Sequence, residues 1–171
     1  DGGSGNPFGV TIQHLFFRGN YNNQGTTTAR IIEVDAKDVV IFRCRFYQAP
    51  GYAIYAKKLC MILYNWVHKT KNVGIMVNAA DSLIIGNQVT ARDDTPSYYT
   101  GITINGDNST CMGNFVFQCK NGIYVDNKVL VIGNRVNHNQ LNGIRAQSTQ
   151  NTIVGNYGYA NGQDTTASGA N

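Results

Sequence analysis

Carboxylates are the residues of this chain whose spacing first suggests chemistry. Glu33 and Asp35 stand two apart, so on a strand they share a face with roughly 6.6 Å between α-carbons. Asp126 anchors a second group, with Asp93 and Asp94 in one loop, Arg145 further along, and Tyr98, Tyr99 and Tyr124 close in sequence to one or other of them. Cleavage of a glycosidic bond requires two carboxyl groups, about 5 to 5.5 Å apart for retention or about 6.5 to 9.5 Å for inversion. The second group also holds what an elimination needs: a carboxylate to hold a cation or face a uronate, and an arginine as base. Carboxylates are mostly solvated surface groups, so their meaning depends on the elements that bring them together.

Those elements recur. The stretch Leu83 to Ile104 reads L-I-I-G-N-Q-V, a loop, then G-I-T-I, and the phrase returns around Met61 to Val77, Cys111 to Val125 and Val131 to Ala146. One column of it is Cys44, Asn65, Asn87, Asn114, Asn134 and Asn156, and a second is Ile32, Ile54, Ile75, Ile102, Ile123 and Ile144. Both columns step by about 21 residues and both place one long step in the same coil. Such a period marks stacked repeats, none of which buries its apolar side alone. Ile12, Leu15 and Phe17 match Ile41, Cys44 and Phe46, which adds a coil in front.

Within each coil the apolar runs are short, alternate with period two and are punctuated by Gly and Asn, which is strand spacing. One strand of a kind per coil must stack in parallel, and parallel crossovers are right-handed by strong default. The fold class expected is therefore all-β, a single-stranded right-handed parallel β-helix of about seven coils. Asn65, Asn87, Asn114, Asn134 and Asn156 form its ladder at one bend, and the glycines before four of them (Gly86, Gly113, Gly133, Gly155) supply φ > 0 there.

The I-x-G-N-x-V and G-I-x-V phrases with stacked asparagines resemble the right-handed parallel β-helix of the pectin-lyase-like superfamily, of the pectate-lyase and phage tail-spike type, over roughly Gly9 to Asn156. The resemblance implies a fold; chemistry must come from the site. In the resembling enzymes the strand equivalent to G-I-x-V and its flanking loops form the sugar cleft. Carried over by alignment, that strand exposes Glu33, Tyr55, Met76, Thr103, Tyr124 and Arg145, then Asp35, Lys57, Asn78, Asn105, Asp126 and Gln147. Two insertions, Arg18 to Ala29 and Ala91 to Thr100, leave just before it. The expected ligand face is thus Tyr55, Lys57, Asn78, Tyr98, Tyr99, Asn105 and Tyr124, with Asp126, Asp93, Asp94 and Arg145 as first choice for catalysis and Glu33 with Asp35 as second. The polygalacturonase N-T-D and D-D phrases and the pectate-lyase R-x-P-x-x-R phrase are absent.

A third face alternates outward after the asparagines: Phe16, Arg45, Trp66, Gln88, Phe115, Arg135 and Tyr157, then Arg18, Tyr47, His68, Thr90, Phe117, Asn137 and Tyr159. So many outward aromatics imply either a slipped register that turns some of them inward or an interface, with a lateral copy or a covering segment.

Composition sets the remaining bounds. The 171 residues, 42% of them apolar, fit one domain, and the charge of +4 is mild and dispersed. It suits an acidic polymer better than nucleic acid, whose binding motifs are missing. No run is long and apolar enough for a membrane span. Residues 1–8 read as a flexible lead-in, 9–160 as the β-helix and 161–171 as a polar tail or degenerate coil; a start at Asp1 suggests a processed or excised piece. Cys44 and Cys111 lie three coils apart and no C-x-x-C occurs, so all four cysteines are expected free. His14, His68 and His138 fall in different columns, so no metal is expected; calcium would enter only with a lyase activity.

The function expected is a carbohydrate-active module that binds an acidic polysaccharide, with cleavage as a further step, in a larger extracellular or virion-associated protein of the tail-spike type. Its partners would be the polysaccharide and either further copies, as in a trimer, or other segments of a longer chain. The alternative is a non-catalytic structural β-helix, a spacer or assembly element.

Overall fold

The computed structural model describes residues 9–20, 28–90 and 99–162. The expected lead-in at 1–8 and most of the tail lie outside them. The first coil holds β1 (Thr11–Gln13), β2 (Phe16–Arg18) and β3 (Arg30–Val34), and the second β4 (Val39–Phe42), β5 (Arg45–Ala49) and β6 (Tyr52–Ala56). Next come β7 (Cys60–Leu63), β8 (Trp66–Thr70) and β9 (Val73–Val77), then β10 (Leu83–Ile85), β11 (Gln88–Thr90) and β12 (Thr100–Ile104). The fifth coil is β13 (Thr110–Met112), β14 (Phe115–Phe117) and β15 (Asn121–Val125), and the sixth is β16 (Leu130–Ile132), β17 (Arg135–Asn137) and β18 (Ile144–Ala146). A seventh contributes β19 (Thr152–Val154) and β20 (Tyr157–Tyr159).

Like strands pair in parallel, giving sheet A (β1-β4-β7-β10-β13-β16-β19), sheet B (β2-β5-β8-β11-β14-β17-β20) and sheet C (β3-β6-β9-β12-β15-β18). There are six full turns and a seventh with two strands among the described residues. Both insertions fall at one turn, between sheets B and C, as the repeat spacing implies.

The period-two pattern decides what goes inside. Sheet A sends in Ile41, Ile62, Ile84, Cys111 and Val131, sheet B Phe46, Val67, Val89, Val116 and Val136, and sheet C Ile54, Ile75, Ile102 and Ile123, all essentially buried. Burial of such side chains contributes roughly 1.5–3 kcal/mol each. Phe17 and Phe46 stack inside the first two coils with centroids 5.0 Å apart. At the far end Ala146 and Ile153, in inward columns, are exposed.

Three bends per coil turn the chain, and one device recurs among them. A residue with φ between about 50° and 64° stands at most bends, and in many coils the residue after it turns its side chain inward to hydrogen-bond the neighbouring coil. At the bend between sheets A and B the positive-φ residues are His14, Arg43, Tyr64, Gly86, Gly113, Gly133 and Gly155, so the four glycines do what their repetition implied. The ladder follows them. Asn65 Oδ1 accepts the Cys44 N–H at 2.9 Å, and its Nδ2 donates to Ile41 O at 2.9 Å and to Asn87 Oδ1 at 3.1 Å. Asn87, Asn114, Asn134 and Asn156 continue in register. Every link satisfies a buried backbone donor, which is why asparagine recurs there.

The other two bends carry shorter ladders. Ser82 and Ser109 hydroxyls accept the N–H of Cys60 and Ser82, and Asn151 that of Val129. Asn139 and Asn161 side chains accept the N–H of Cys119 and Asn139. Asn161 also donates to Val136 O at 2.9 Å, and the Gly162 N–H to Asn139 O at 3.0 Å. All four cysteines are free and buried; burial pushes the Cys60 thiol up to about 11 and the Cys111 thiol up to about 12.

Candidate functional site

Sheet C aligns the expected outward columns. Glu33, Tyr55, Met76, Thr103, Tyr124 and Arg145 are successive partners across the sheet. One step past the strands, the N–H groups of Lys57, Asn78, Asn105, Asp126 and Gln147 donate to Val34, Ala56, Val77, Ile104 and Val125 of the coil before, at 2.8–2.9 Å. That bonding fixes a second column beside the first. Repeating every ~4.8 Å, the two make a straight polar track.

Its side chains are tied to one another. At the first coils Glu33 pairs with both Arg30 and Lys57, and Lys57 reaches Asp35 at 3.7 Å. The Arg30 guanidinium lies 4.3 Å from the Tyr55 ring centroid, and the Tyr52 ring stands 5.3 Å from that of Tyr55. Asn78 Nδ2 donates to Tyr55 Oη at 2.9 Å, and Asn105 Nδ2 to Asn78 Oδ1 at 3.0 Å. Further on, the Tyr124 hydroxyl donates to Gln147, Arg145 sits 5.7 Å from the Tyr124 ring centroid, and the Ser148 hydroxyl donates to Asp126 Oδ1. Two arginine-faced tyrosines thus flank a row of amides. Aromatic faces and amide donors and acceptors are what a sugar ring and its hydroxyls take up.

The carboxylates divide. The Lys57 ammonium hydrogen-bonded to Glu33, helped by Arg30, holds the Glu33 carboxyl below its ordinary value despite desolvation. A general acid needs the opposite shift, so Glu33 and Asp35 form an ion-paired cluster around Lys57. Asp126 faces the track. Asp93, Asp94 and Tyr98 lie outside the described residues. Among the described residues no three His, Cys, Asp or Glu side chains gather.

Two expected members differ. Tyr99, expected as a loop stacking surface, is 7% exposed and packs in the core, because it ends the insertion on the inward side of the turn into β12. Thr103, in an outward column, is buried too, at 8%. Conversely, Arg30 and Tyr52 belong to the track although the alternation placed neither in it. Their signal was slight: each opens a sheet C strand, and Arg30 stands three residues before Glu33.

On sheet B the outward aromatics keep the expected register, Phe16↔Arg45↔Trp66↔Gln88↔Phe115↔Arg135↔Tyr157. Arg45 approaches Trp66, and Arg135 lies between Phe115 and Tyr157 at 5.1 and 5.9 Å. Thr90 and Asn137, in the second column, are buried. No helix among the described residues is long and apolar enough to cross a membrane.

Three parallel sheets wound from about 21-residue coils, closed by side-chain ladders at the bends, define a parallel β-solenoid. Residues 56–170 match the family described as right handed beta helix region, and the chain belongs to it. No curated protein matches the chain, and no solved structure does.

Proposed function

We propose that this chain is a carbohydrate-active β-helix module that binds an acidic polysaccharide along sheet C, in an extracellular or virion-associated protein of the pectin-lyase-like type. The observation that carries the reading is the track itself: Tyr55 under Arg30, Tyr124 beside Arg145, and Asn78 and Asn105 between them. An extended polymer laid along the stack meets a stacking face or a polar group at each coil, and the Arg145 guanidinium answers its carboxylates. Cleavage would fall to Asp126 with Asp93 or Asp94, and Arg145 as the nearby base.

The second reading is a structural β-helix that only spaces or assembles. What favours it is the state of Glu33, ion-paired with Lys57 and Arg30 and held below its ordinary value, the opposite of what a general acid needs. Titration calorimetry with oligogalacturonate, alongside absorbance of unsaturated product and new reducing ends, separates these readings. Heat with neither product supports a binding module, heat with either supports an enzyme, and no heat across a panel of uronate polymers leaves the structural reading.

A further inference from the structure

We propose a second ligand site, at the bend between sheets A and B, that takes one anionic sugar unit. It rests on the reading of the chain as a binder of acidic polysaccharide, but on other residues and another face. A cleft of about 960 Å³ opens there, a volume in the range of small-ligand sites.

The repeat explains how the cleft is built. At this bend the positive-φ position is glycine in the last four coils, and a Cβ added at Gly113, Gly133 or Gly155 would meet nothing within 4 Å. In the first three coils the same position holds His14, Arg43 and Tyr64 at φ 56°, 50° and 55°. Left-handed non-glycine residues occur at the other bends as well, so backbone strain alone singles out nothing. The split within one bend does: side chains rise here in three successive coils and none in the four that follow. They form one wall. Phe16, Arg45 and Trp66, outward on sheet B, form the floor.

The chemistry of that cleft is specific. No carboxylate lines it, and among the described residues neither Arg43 nor Arg45 enters an ion pair. Each guanidinium instead leans on a ring, Arg43 4.9 Å from Phe42 and Arg45 5.9 Å from Trp66. Trp66 is held in plane by His68, stacked at 5.5 Å and 13°. A sugar ring resting on Trp66 puts its carboxylate within reach of two exposed guanidinium forks, the geometry that favours bidentate pairing. The Tyr64 hydroxyl is left for the sugar's own hydroxyls.

Trp66 is the one tryptophan of the chain, so it reports the cleft and not sheet C. Trigalacturonate is titrated into the whole protein while Trp66 emission and its quenching by acrylamide are followed, with maltotriose as the neutral control. The expected result is a saturable emission change and protection from acrylamide with trigalacturonate alone. This response stays intact in Tyr124→Ala and weakens about tenfold or more in Arg45→Ala, the loss of one charge-assisted contact. Thermal unfolding checks that the variants are folded, and the native protein's response decides the matter without them. Calorimetric heat with no response at Trp66 overturns the second site and leaves the sheet C reading standing, whereas neither heat nor response overturns both. An equal response to maltotriose, or one lost in Tyr124→Ala and kept in Arg45→Ala, also overturns it.

Discussion

Replacing Asn114 with leucine keeps the number and branching of the side-chain heavy atoms, adds the bulk of two methyl groups, and removes the middle of the longest ladder, so its cost reads chiefly the hydrogen bonds. Asn114 Oδ1 accepts the Asn87 N–H at 2.8 Å and Asn87 Nδ2 at 3.0 Å; its Nδ2 donates to Ile84 O and Asn134 Oδ1, both at 2.9 Å. After Asn114→Leu the Asn87 N–H is buried without an acceptor, at about 1–3 kcal/mol. Asn87 Nδ2 keeps Ile62 O at 2.8 Å, and Asn134 Oδ1 keeps the Asn114 N–H at 2.9 Å. Those partial losses add about 1 kcal/mol together. The expected total is about 2–4 kcal/mol, a large part of the roughly 5–15 kcal/mol that stabilises a domain. Asn105→Leu, on an exposed residue, should stay within about 0.5 kcal/mol. Guanidinium chloride unfolding of both variants measures the difference, with the midpoint falling and the slope unchanged. If Asn114→Leu costs no more than Asn105→Leu, the ladder does not stabilise the stack as argued.

Four further outcomes follow from the same geometry. Four thiols should titrate in the denatured, unreduced protein and none in the native one. Because burial raises Cys60 and Cys111 to about 11 and about 12, above the ordinary value near 8.5, the unfolded chain loses these protons first. Their contribution is full below about pH 8.5 and is lost as pH rises through the folded values, so unfolding midpoints between about pH 8 and 11 should fall more steeply in the native sequence than in Cys60→Ala/Cys111→Ala. Lys57→Met should return the Glu33 carboxyl toward its ordinary value in an NMR titration. Any Glu33 contribution, present at neutral pH and lost as pH falls below the ordinary carboxylate range, disappears with it, and the melting temperature barely moves because both groups are exposed. Gly106→Ala should cost far more than Gly113→Ala in calorimetric unfolding: a Cβ at Gly106 would lie 1.9 Å from Ala79 O, whereas at Gly113 only the φ of 62° opposes it, at about 1–2 kcal/mol. Equal costs would contradict the close packing at that bend.

The stack was legible because one bend repeats both of its residues. Gly86, Gly113, Gly133 and Gly155 with their following asparagines gave period, register and ladder together. The other two bends use the same conformation with no one residue type running through either: Gln48, Lys69, Gln118, His138 and Ala160 hold φ > 0 at one, and Asp38, Asp81, Asn108, Lys128 and Gln150 at the other. What recurs there is a backbone N–H meeting a side-chain oxygen, supplied by Ser82 and Ser109 in two coils and Asn151 in another, and a column of letters does not show it. The track on sheet C was legible as columns, since alternation fixes which residues face out. Its pairings were not, because Lys57 reaching both Glu33 and Asp35 depends on side-chain conformation across two coils. Tyr99 shows the limit of alternation at a loop boundary, where a residue can turn into the core one step before its strand begins.

Binding along sheet C is tested most directly by titration calorimetry of oligogalacturonate into the unaltered chain, Tyr124→Ala and Arg145→Ala, with melting temperatures measured alongside. Both side chains lie on the outer face of sheet C. Each substitution should weaken the binding event that Trp66 does not report by about tenfold, the loss of one stacking or charge-assisted contact, at nearly unchanged melting temperature. Undiminished affinity in both variants, or no such event in the unaltered chain, would contradict it.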